Sequence, residues 1–248
     1  MHKEQVITQL MEMHLSAMAE SFKRRIETGD ARDLSPEQFF SLLVEDEFTA
    51  RKNRKLSRMI ARANFKPEQA CIENLDYNPL RGLQKESVMK FINENWIKNA
   101  ETLLITGPTG CGKTFLAEAL GLQACKLGFP AQKIRYPMLF EELRAAKGTG
   151  TYLRYIKKVC RIPVLIIDDF LMSPIEMNEI SHLLEIVEQR QQNGALIITT
   201  QLPIDTWHHQ LKDPTLSDAI CDRLVHHAFK FQLKGESMRK KYKKSGSK

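Results

Sequence analysis

A chain of 248 residues with 42% hydrophobic and 27% charged positions is long enough to bury a sizeable core and too apolar to be a disordered chain. Thirty-seven Lys and Arg against 30 Asp and Glu leave a formal charge of +7, which points to a polyanionic partner. The cysteines Cys71, Cys111, Cys125, Cys160 and Cys221 form no C-x-x-C pair, against a zinc or disulfide framework, and no apolar run approaches the roughly 18 residues of a membrane span, so a cytoplasmic protein with no membrane contact is expected.

Val6, Ile7, Leu10, Met11, Leu15, Met18, Phe22 and Ile26 recur three and four apart, predicting one amphipathic helix that Gly29-Asp30 ends. Ser35-Pro36-Glu37-Gln38 announces a second helix: Ser35 caps it, Pro36 suits its first turn, and Gln38 reaches back. Phe39, Phe40, Leu42, Leu43 and Phe48 form its apolar part. Behind them come Arg51, Lys52, Arg54, Lys55, Arg58, Arg62 and Lys66 with no acid between 51 and 66. A solvated face mixes its signs, so this stretch is a basic arm, and Arg51, Lys52, Arg54, Lys55 and Arg58 are candidate DNA contacts; a face for an acidic protein partner is the alternative. Pro67 and the run Glu73 to Gly82 read as a linker. The expected division is a helical N-terminal domain over 1–70, a core over 71–235 and a basic tail over 236–248.

Leu83 to Lys98 is expected to be helical. The apolar run Leu103 to Thr106 then stops at Gly107-Pro108-Thr109-Gly110-Cys111-Gly112-Lys113-Thr114, and the helix-like run Phe115 to Leu120 follows. Every fixed position of G-x-x-x-x-G-K-T is matched, in the strand–loop–helix setting that its mechanism needs. The glycines turn successive N–H groups inward as a nest for phosphate oxygens at a helix N-terminus. Lys113 supplies a mobile positive charge over the β- and γ-phosphates, and the Thr114 hydroxyl is a ligand for Mg²⁺. Cys111, at a variable position, is expected to face away from the phosphates.

After the turn Gly128-Phe129-Pro130, a short strand is expected over Gln132 to Tyr136 and a helix from Met138. Lys133, Arg135, Arg144, Lys147, Arg154, Lys157, Lys158 and Arg161 face only Glu141 and Glu142 in this stretch. Arg144, Lys147, Arg154, Lys157 and Lys158 are therefore further DNA-contact candidates, while Tyr152 and Tyr155 either stack on bases or pack in the core. The apolar run Val164 to Ile167 ends in Asp168-Asp169, as a central parallel strand does. An acid there lies beside a phosphate loop, so Asp168 is the candidate metal residue and Asp169 the candidate for activating the attacking water. A third strand, Ala195 to Ile198, ends in Thr199-Thr200-Gln201, a polar end that either bonds the attacking water or the γ-phosphate, with Gln201 the candidate contact, or simply closes the strand. His208-His209 and His226-His227 have no third ligand at a suitable spacing.

Together with Asp222-Arg223-Leu224, these elements resemble an AAA+ ATPase core of the P-loop NTPase class. More narrowly, the chain is similar, nearly end to end, to the IstB-type ATP-binding proteins of bacterial insertion sequences, relatives of the DnaC helicase loader. The likeness includes Asp46-Glu47-Phe48-Thr49-Ala50-Arg51, Asn74-Leu75-Asp76-Tyr77, Leu165 to Phe170, Gln201 to His208 and Leu233 to Lys240. It implies an α/β fold with a central parallel sheet behind a small all-helical domain, and slow hydrolysis of ATP with Mg²⁺. It also implies that Arg223 reaches a neighbour's nucleotide as an arginine finger, and that a homo-oligomeric ring or filament forms on DNA with little sequence preference. The implied partner is a transposase encoded by the same element. A DnaC-like helicase loader, and a DNA scaffold that holds ATP with little hydrolysis, are the alternatives. Asp169 stands where the broader AAA+ pattern has glutamate, little chain remains after Arg223 for a helical lid, and Arg239 is a candidate second sensing arginine.

Overall fold

The computed structural model describes residues 3–30, 33–66 and 70–238. The chain divides into two compact units, Met1–Arg58 and Met59–Lys248. Pro67, Arg239 and the rest of the tail lie outside the described residues.

The first unit is helical: α1 is Lys3–Glu12, α2 is Ser16–Thr28, and α3 is Pro36–Arg62, whose last residues belong to the second unit. The expected single helix over residues 6–26 is in fact two. His14 takes a left-handed conformation (φ 58°), and the amides of Met13, His14 and Leu15 close a turn onto Gln9, Met11 and Leu10. This break frees the first amides of α2, which has no side-chain cap of its own. Glu47, from the middle of α3, takes their place by accepting from the N–H groups of Ala17 (2.9 Å) and Met18 (3.0 Å). Burial pushes the Glu47 carboxyl up, but Arg51 and those two amides outweigh it and hold it below the ordinary value. Gly29 ends α2 in the left-handed conformation, and Ser35 and Gln38 form the expected reciprocal cap at 2.9 and 3.2 Å.

In the second unit the expected helix over 83–98 also divides, into α4 (Lys85–Met89) and α5 (Asn95–Lys98). Asn93 Oδ1 accepts from the Asn95 N–H at 3.0 Å, a local side-chain bond that competes with the helical ladder. The turn lets Phe91 and Trp96 meet edge to face, both buried. The strands β1 (Thr102–Thr106), β2 (Ala131–Arg135), β3 (Val164–Asp168), β4 (Ala195–Thr200) and β5 (Phe229–Gln232) form one parallel sheet in the order β2-β3-β4-β1-β5. Strand β2 starts and ends one residue before the expected span, β4 runs on to Thr200, and β5 was not expected at all.

Leu103–Ile105, Val164–Ile167 and Ala195–Ile198 are buried on both faces, as parallel strands between helices must be. One face carries α6 (Lys113–Lys126), which packs on β1 to β4. A side chain on Gly121 of α6 would meet Phe65 and Ile166, so a glycine permits the close approach. The larger cluster contains residues of α7 (Tyr136–Gly148), α8 (Tyr152–Cys160), α9 (Met177–Asn193), α10 (Trp207–Leu211) and α11 (Pro214–Val225). The helix α7 starts at Tyr136, with Pro137 in its first turn, earlier than the expected Met138. Among the described residues, no helix is long and apolar enough to cross a membrane.

Candidate nucleotide site

β1 delivers the chain to Gly107, and α6 begins at Lys113, so residues 107–112 are the whole turn. Gly107 (φ 148°) and Gly110 (φ 79°) hold conformations that side chains resist, and each is also crowded. A Cβ on Gly107 would lie 2.4 Å from the Leu233 carbonyl, and one on Gly110 would strike Ser237. Gly112 is the N-cap of α6 and offers no side-chain acceptor, so the first amides of that helix keep their donor capacity for a ligand.

Lys113 folds back over the loop, its Nζ donating to the carbonyls of Gly107 (2.8 Å) and Pro108 (2.9 Å). One turn into the site, a single carboxylate oxygen gathers two hydroxyls. Asp168 Oδ1 accepts from Thr114 Oγ1 at 2.9 Å and from Thr199 Oγ1 at 2.5 Å, and Asp168 and Thr199 are both buried. The sheet order makes this meeting possible, because β4 lies between β1 and β3 and brings Thr199 to the end of β3. Thr199 Oγ1 also accepts from the Asp169 N–H at 3.2 Å, and Thr109 donates to Gln201 across the mouth of the loop.

Asp169 itself sits in the left-handed region (φ 59°), and its carboxylate pairs with Arg135 at the end of β2, 3.3 Å away. Arg223 joins none of these bonds. It donates to the Ala219 carbonyl (2.9 Å) and pairs with Glu188 of α9 at 2.7 Å. Thus the loop, Thr114, Asp168, Asp169 and Gln201 come together, and Arg223 is held elsewhere on α11.

Sequence reasoning missed three features. Thr199 was visible only as one of several polar residues ending a strand. Arg135 reads in the sequence as one cation of a basic stretch, and nothing local marks it as the partner of Asp169. The third feature is an apolar recess behind the loop, of about 80 Å³, lined by Leu75, Leu83, Cys111, Phe115, Leu233 and Met238. Its rim is pinned by Arg81, which bonds Asp76 (3.2 Å) and the Glu236 carbonyl (3.2 Å), and by the Met238 N–H donating to the Gly110 carbonyl at 2.9 Å. Cys111 turns into this recess and away from the inner face of the loop.

The candidate DNA contacts differ in how free they are. Arg51 and Arg54 both bind Glu47, at 2.8 and 3.1 Å, so the arm is partly neutralised from one helical turn upstream. Lys52, Lys55 and Arg58 are exposed on the same helix. In the second unit Arg144 pairs with Glu179 of α9, and Lys147 lies over the Tyr152 ring at 5.5 Å. Tyr152 donates to Glu185 (2.8 Å) and contacts His182 (2.7 Å), so it is a packing residue rather than an open stacking platform. Arg154, Lys157 and Lys158 project from the exposed face of α8. One histidine of each adjacent pair meets a carboxylate, His208 with Asp218 and His226 with Asp222, and no group of three metal-ligating side chains occurs among the described residues.

Comparison with known proteins agrees with this architecture. The chain is 39% identical over 234 residues to the insertion sequence ATP-binding protein y4pL of Sinorhizobium fredii, covering 94% of this chain and 95% of that protein. Among solved structures it resembles the DnaC helicase loader (TM-score 0.52, 20% identity, 60% of this chain and 88% of that one). It also resembles AMPPCP-bound DnaA from Aquifex aeolicus (TM-score 0.59, 19% identity, 73% of this chain and 55% of that one). At these identities the structural matches speak to the fold alone, that of the AAA+ domains of DnaC and DnaA. The model for the IstB-like ATP binding proteins matches residues 8–246, and the chain belongs to that family.

Proposed function

We propose that this chain is an AAA+ ATPase that binds ATP with Mg²⁺ at the loop Gly107–Thr114, assembles on DNA with little sequence preference, and assists the transposase of its insertion sequence. The observation that carries the nucleotide reading is the sharing of Asp168 Oδ1 by Thr114 and Thr199 at the lip of the phosphate loop. Thr114 Oγ1 and the Asp168 carboxylate are hard oxygens side by side, a donor set that fits Mg²⁺. These oxygens would hold Mg²⁺, which would supply positive charge to offset the charge of the phosphates.

The residues divide the work in this reading. The loop amides and the α6 N-terminus hold the phosphates, and Lys113 leaves the carbonyls of Gly107 and Pro108 for the phosphate oxygens. Asp169 orients the attacking water, Gln201 senses the γ-phosphate, and the apolar recess behind Cys111 takes the base. Arg223 releases the half-exposed Glu188, a pair worth at most about 1 kcal/mol, and reaches the nucleotide of a neighbouring copy. Residues 71–235 form the ATPase core, 1–70 contact DNA or the partner, 236–248 are a basic tail, and nucleotide occupancy controls assembly.

A second reading, a DNA scaffold that holds ATP with little hydrolysis, gains support from the Asp169–Arg135 pair, which occupies the carboxylate that should serve the water. DNA binding by the purified chain with ATP, with ADP and without nucleotide, over a salt series and beside Lys113→Ala and Arg223→Ala, tests the proposal. The expected result is cooperative, salt-sensitive binding to random duplex with ATP that both variants lose. Wild-type protein that ignores duplex DNA in every nucleotide state would overturn it and favour a helicase-loader role. ATP-driven assembly without phosphate release would favour the scaffold.

A further inference from the structure

Two residues flank Phe170 in the left-handed region, Asp169 (φ 59°) and Leu171 (φ 58°), and neither is a glycine. Such torsions are costly and persist only where the surroundings hold them in place. Here the hold comes from β4. The Phe170 N–H donates to the Thr199 carbonyl at 2.8 Å, and the Phe170 carbonyl accepts from Thr200 Oγ1 at 2.9 Å. The same Thr200 hydroxyl accepts from the Leu202 N–H at 3.1 Å, so the turn after the two acids and the loop after Gln201 share one anchor. One side of that anchor carries Asp169, and the other carries Gln201, which bonds Thr109 of the phosphate loop.

Beyond the turn the path is aromatic. The Phe170 ring lies between Tyr136 (centroids 5.1 Å apart) and Trp207 (4.9 Å), and all three are fully buried. Trp207 Nε1 and the Tyr136 hydroxyl have no hydrogen-bond partner among the described residues, so packing alone holds these rings. Trp207 opens α10, and its neighbour His208 meets Asp218 of α11 at 3.3 Å. Ile220 and Leu224 of α11 are buried in the same cluster as Phe170 and Trp207, while Arg223 reaches Glu188 of α9 at 2.7 Å. A contiguous run of contacts therefore leads from Asp169, through Phe170 and Trp207, to the helix that carries Arg223. Close-packed side chains pass a displacement on, because no free volume absorbs it.

Resting on the reading of Arg223 as a finger, we propose that Phe170 and Trp207 are positioning residues that couple the nucleotide held by one chain to that chain's own Arg223, which serves the neighbour. Nucleotide that draws the Asp169 carboxylate away from Arg135 moves the strained turn at Phe170, Trp207 follows, and α11 shifts enough to part Arg223 from Glu188. An empty subunit keeps its finger paired with α9, so hydrolysis next door waits for ATP in the donor as well.

The full chain labelled with 5-fluorotryptophan tests the first half of this path, since Trp96 and Trp207 are its two tryptophans. A saturating, non-hydrolysed ATP analogue with Mg²⁺ should move the Trp207 fluorine resonance by more than its line width. The Trp96 resonance should stay in place, since that ring packs on Phe91 and donates to its carbonyl. The second half is read in steady-state ATP hydrolysis. Trp207→Leu should lower kcat by about fivefold or more and leave KM for ATP unchanged, because the nucleotide site itself is untouched. Trp207→Phe should keep the wild-type rate, since the lost Nε1–H made no bond. Glu188→Gln, which frees Arg223 without the relay, should restore the rate of Trp207→Leu, a rescue that a merely weakened core does not give. If Trp207→Leu melts early, the resonance of the wild-type chain decides alone. A Trp207 resonance indifferent to the analogue, or a Trp207→Leu rate that Glu188→Gln leaves low, overturns the relay while the finger stands. Arg223→Ala with a wild-type rate overturns the finger reading and the relay with it.

Discussion

Replacing Thr199 by valine removes one hydroxyl and almost nothing else. That hydroxyl donates to Asp168 Oδ1 at 2.5 Å and accepts from the Asp169 N–H at 3.2 Å, and the residue is fully buried, so water cannot take its place. A bond to a charged acceptor contributes about 1.5–3 kcal/mol, and an orphaned buried N–H costs about 1–3 kcal/mol. The added methyl returns at most about 0.8 kcal/mol. A net loss near 3 kcal/mol follows, which for a core of this size lowers the melting temperature by about 6–12 °C. Scanning calorimetry of wild type, Thr199→Val and Thr199→Ser measures it, with serine expected close to wild type because it keeps the hydroxyl. Nucleotide affinity in Mg²⁺ should fall in the valine variant alone, since Asp168 loses the donor that aims its carboxylate. A valine variant melting within about 2 °C of wild type would refute the reasoning, because a hydroxyl whose loss costs so little is not making these two bonds.

Gly107→Ala should cost more than about 2 kcal/mol and abolish nucleotide binding, because the new Cβ meets the Leu233 carbonyl at 2.4 Å; Gly148→Ala, with open space around it, should stay within about 1 kcal/mol in the same urea titration. Burial, with the nearby Lys147 charge, holds the His182 imidazole below its ordinary value, so the folded chain binds fewer protons than the unfolded one near pH 6. Stability present above the unfolded value of about 6.5 is therefore lost as pH falls below it, and His182→Gln should flatten that decline in urea midpoints between about pH 7.5 and 5.5. Asp46 and Glu47, held low by their donors, add a second loss at more acid pH, below their ordinary values of 3.8 and 4.5. Burial pushes the thiols of Cys125, Cys160 and Cys221 up, the last to about 11, whereas Cys71 is half-exposed. Under native conditions near pH 8 a disulfide reagent should therefore modify Cys71 first, and the four buried thiols, Cys111 included, only on unfolding, as peptide mapping would show.

The phosphate loop was legible because its chemistry is local: the glycines, Lys113 and Thr114 are consecutive, and the strand before them is apolar throughout. Asp168 was legible for the same reason, as an acid closing an apolar run. What escaped depends on partners far apart in the chain. Arg144 reads as a free cation until Glu179, 35 positions on, is placed beside it, and Arg223 until Glu188 is. The Glu47 pairs with Arg51 and Arg54 lie within reach of the sequence, since Arg51 is four residues on, but Glu47 stands just ahead of the basic run that begins at 51. The helix break at His14 has no glycine or proline to announce it; it is stabilised by Glu47 meeting the exposed amides of α2, a contact 30 positions away. Strand β5 is a short edge: Phe229, Phe231 and Leu233 do alternate with Lys230 and Gln232, but over four residues with only Phe231 of the strand buried the alternation is brief and easily passed over.

The recess behind the phosphate loop is closed by two stretches from opposite ends of the core. Arg81 bonds the Glu236 carbonyl across 155 positions, the Lys234 N–H donates to the Arg81 carbonyl, and β5 lies against β1. Contacts of such separation form late, because the intervening chain must be ordered first. During synthesis at roughly 5–20 residues per second, the loop at 107–114 emerges several seconds before residues 229–238 that brace Gly107 and Gly110. A chain stalled short of β5 would carry the full motif on an open-edged sheet without its brace, so competence for nucleotide arrives only as the last residues of the core leave the ribosome.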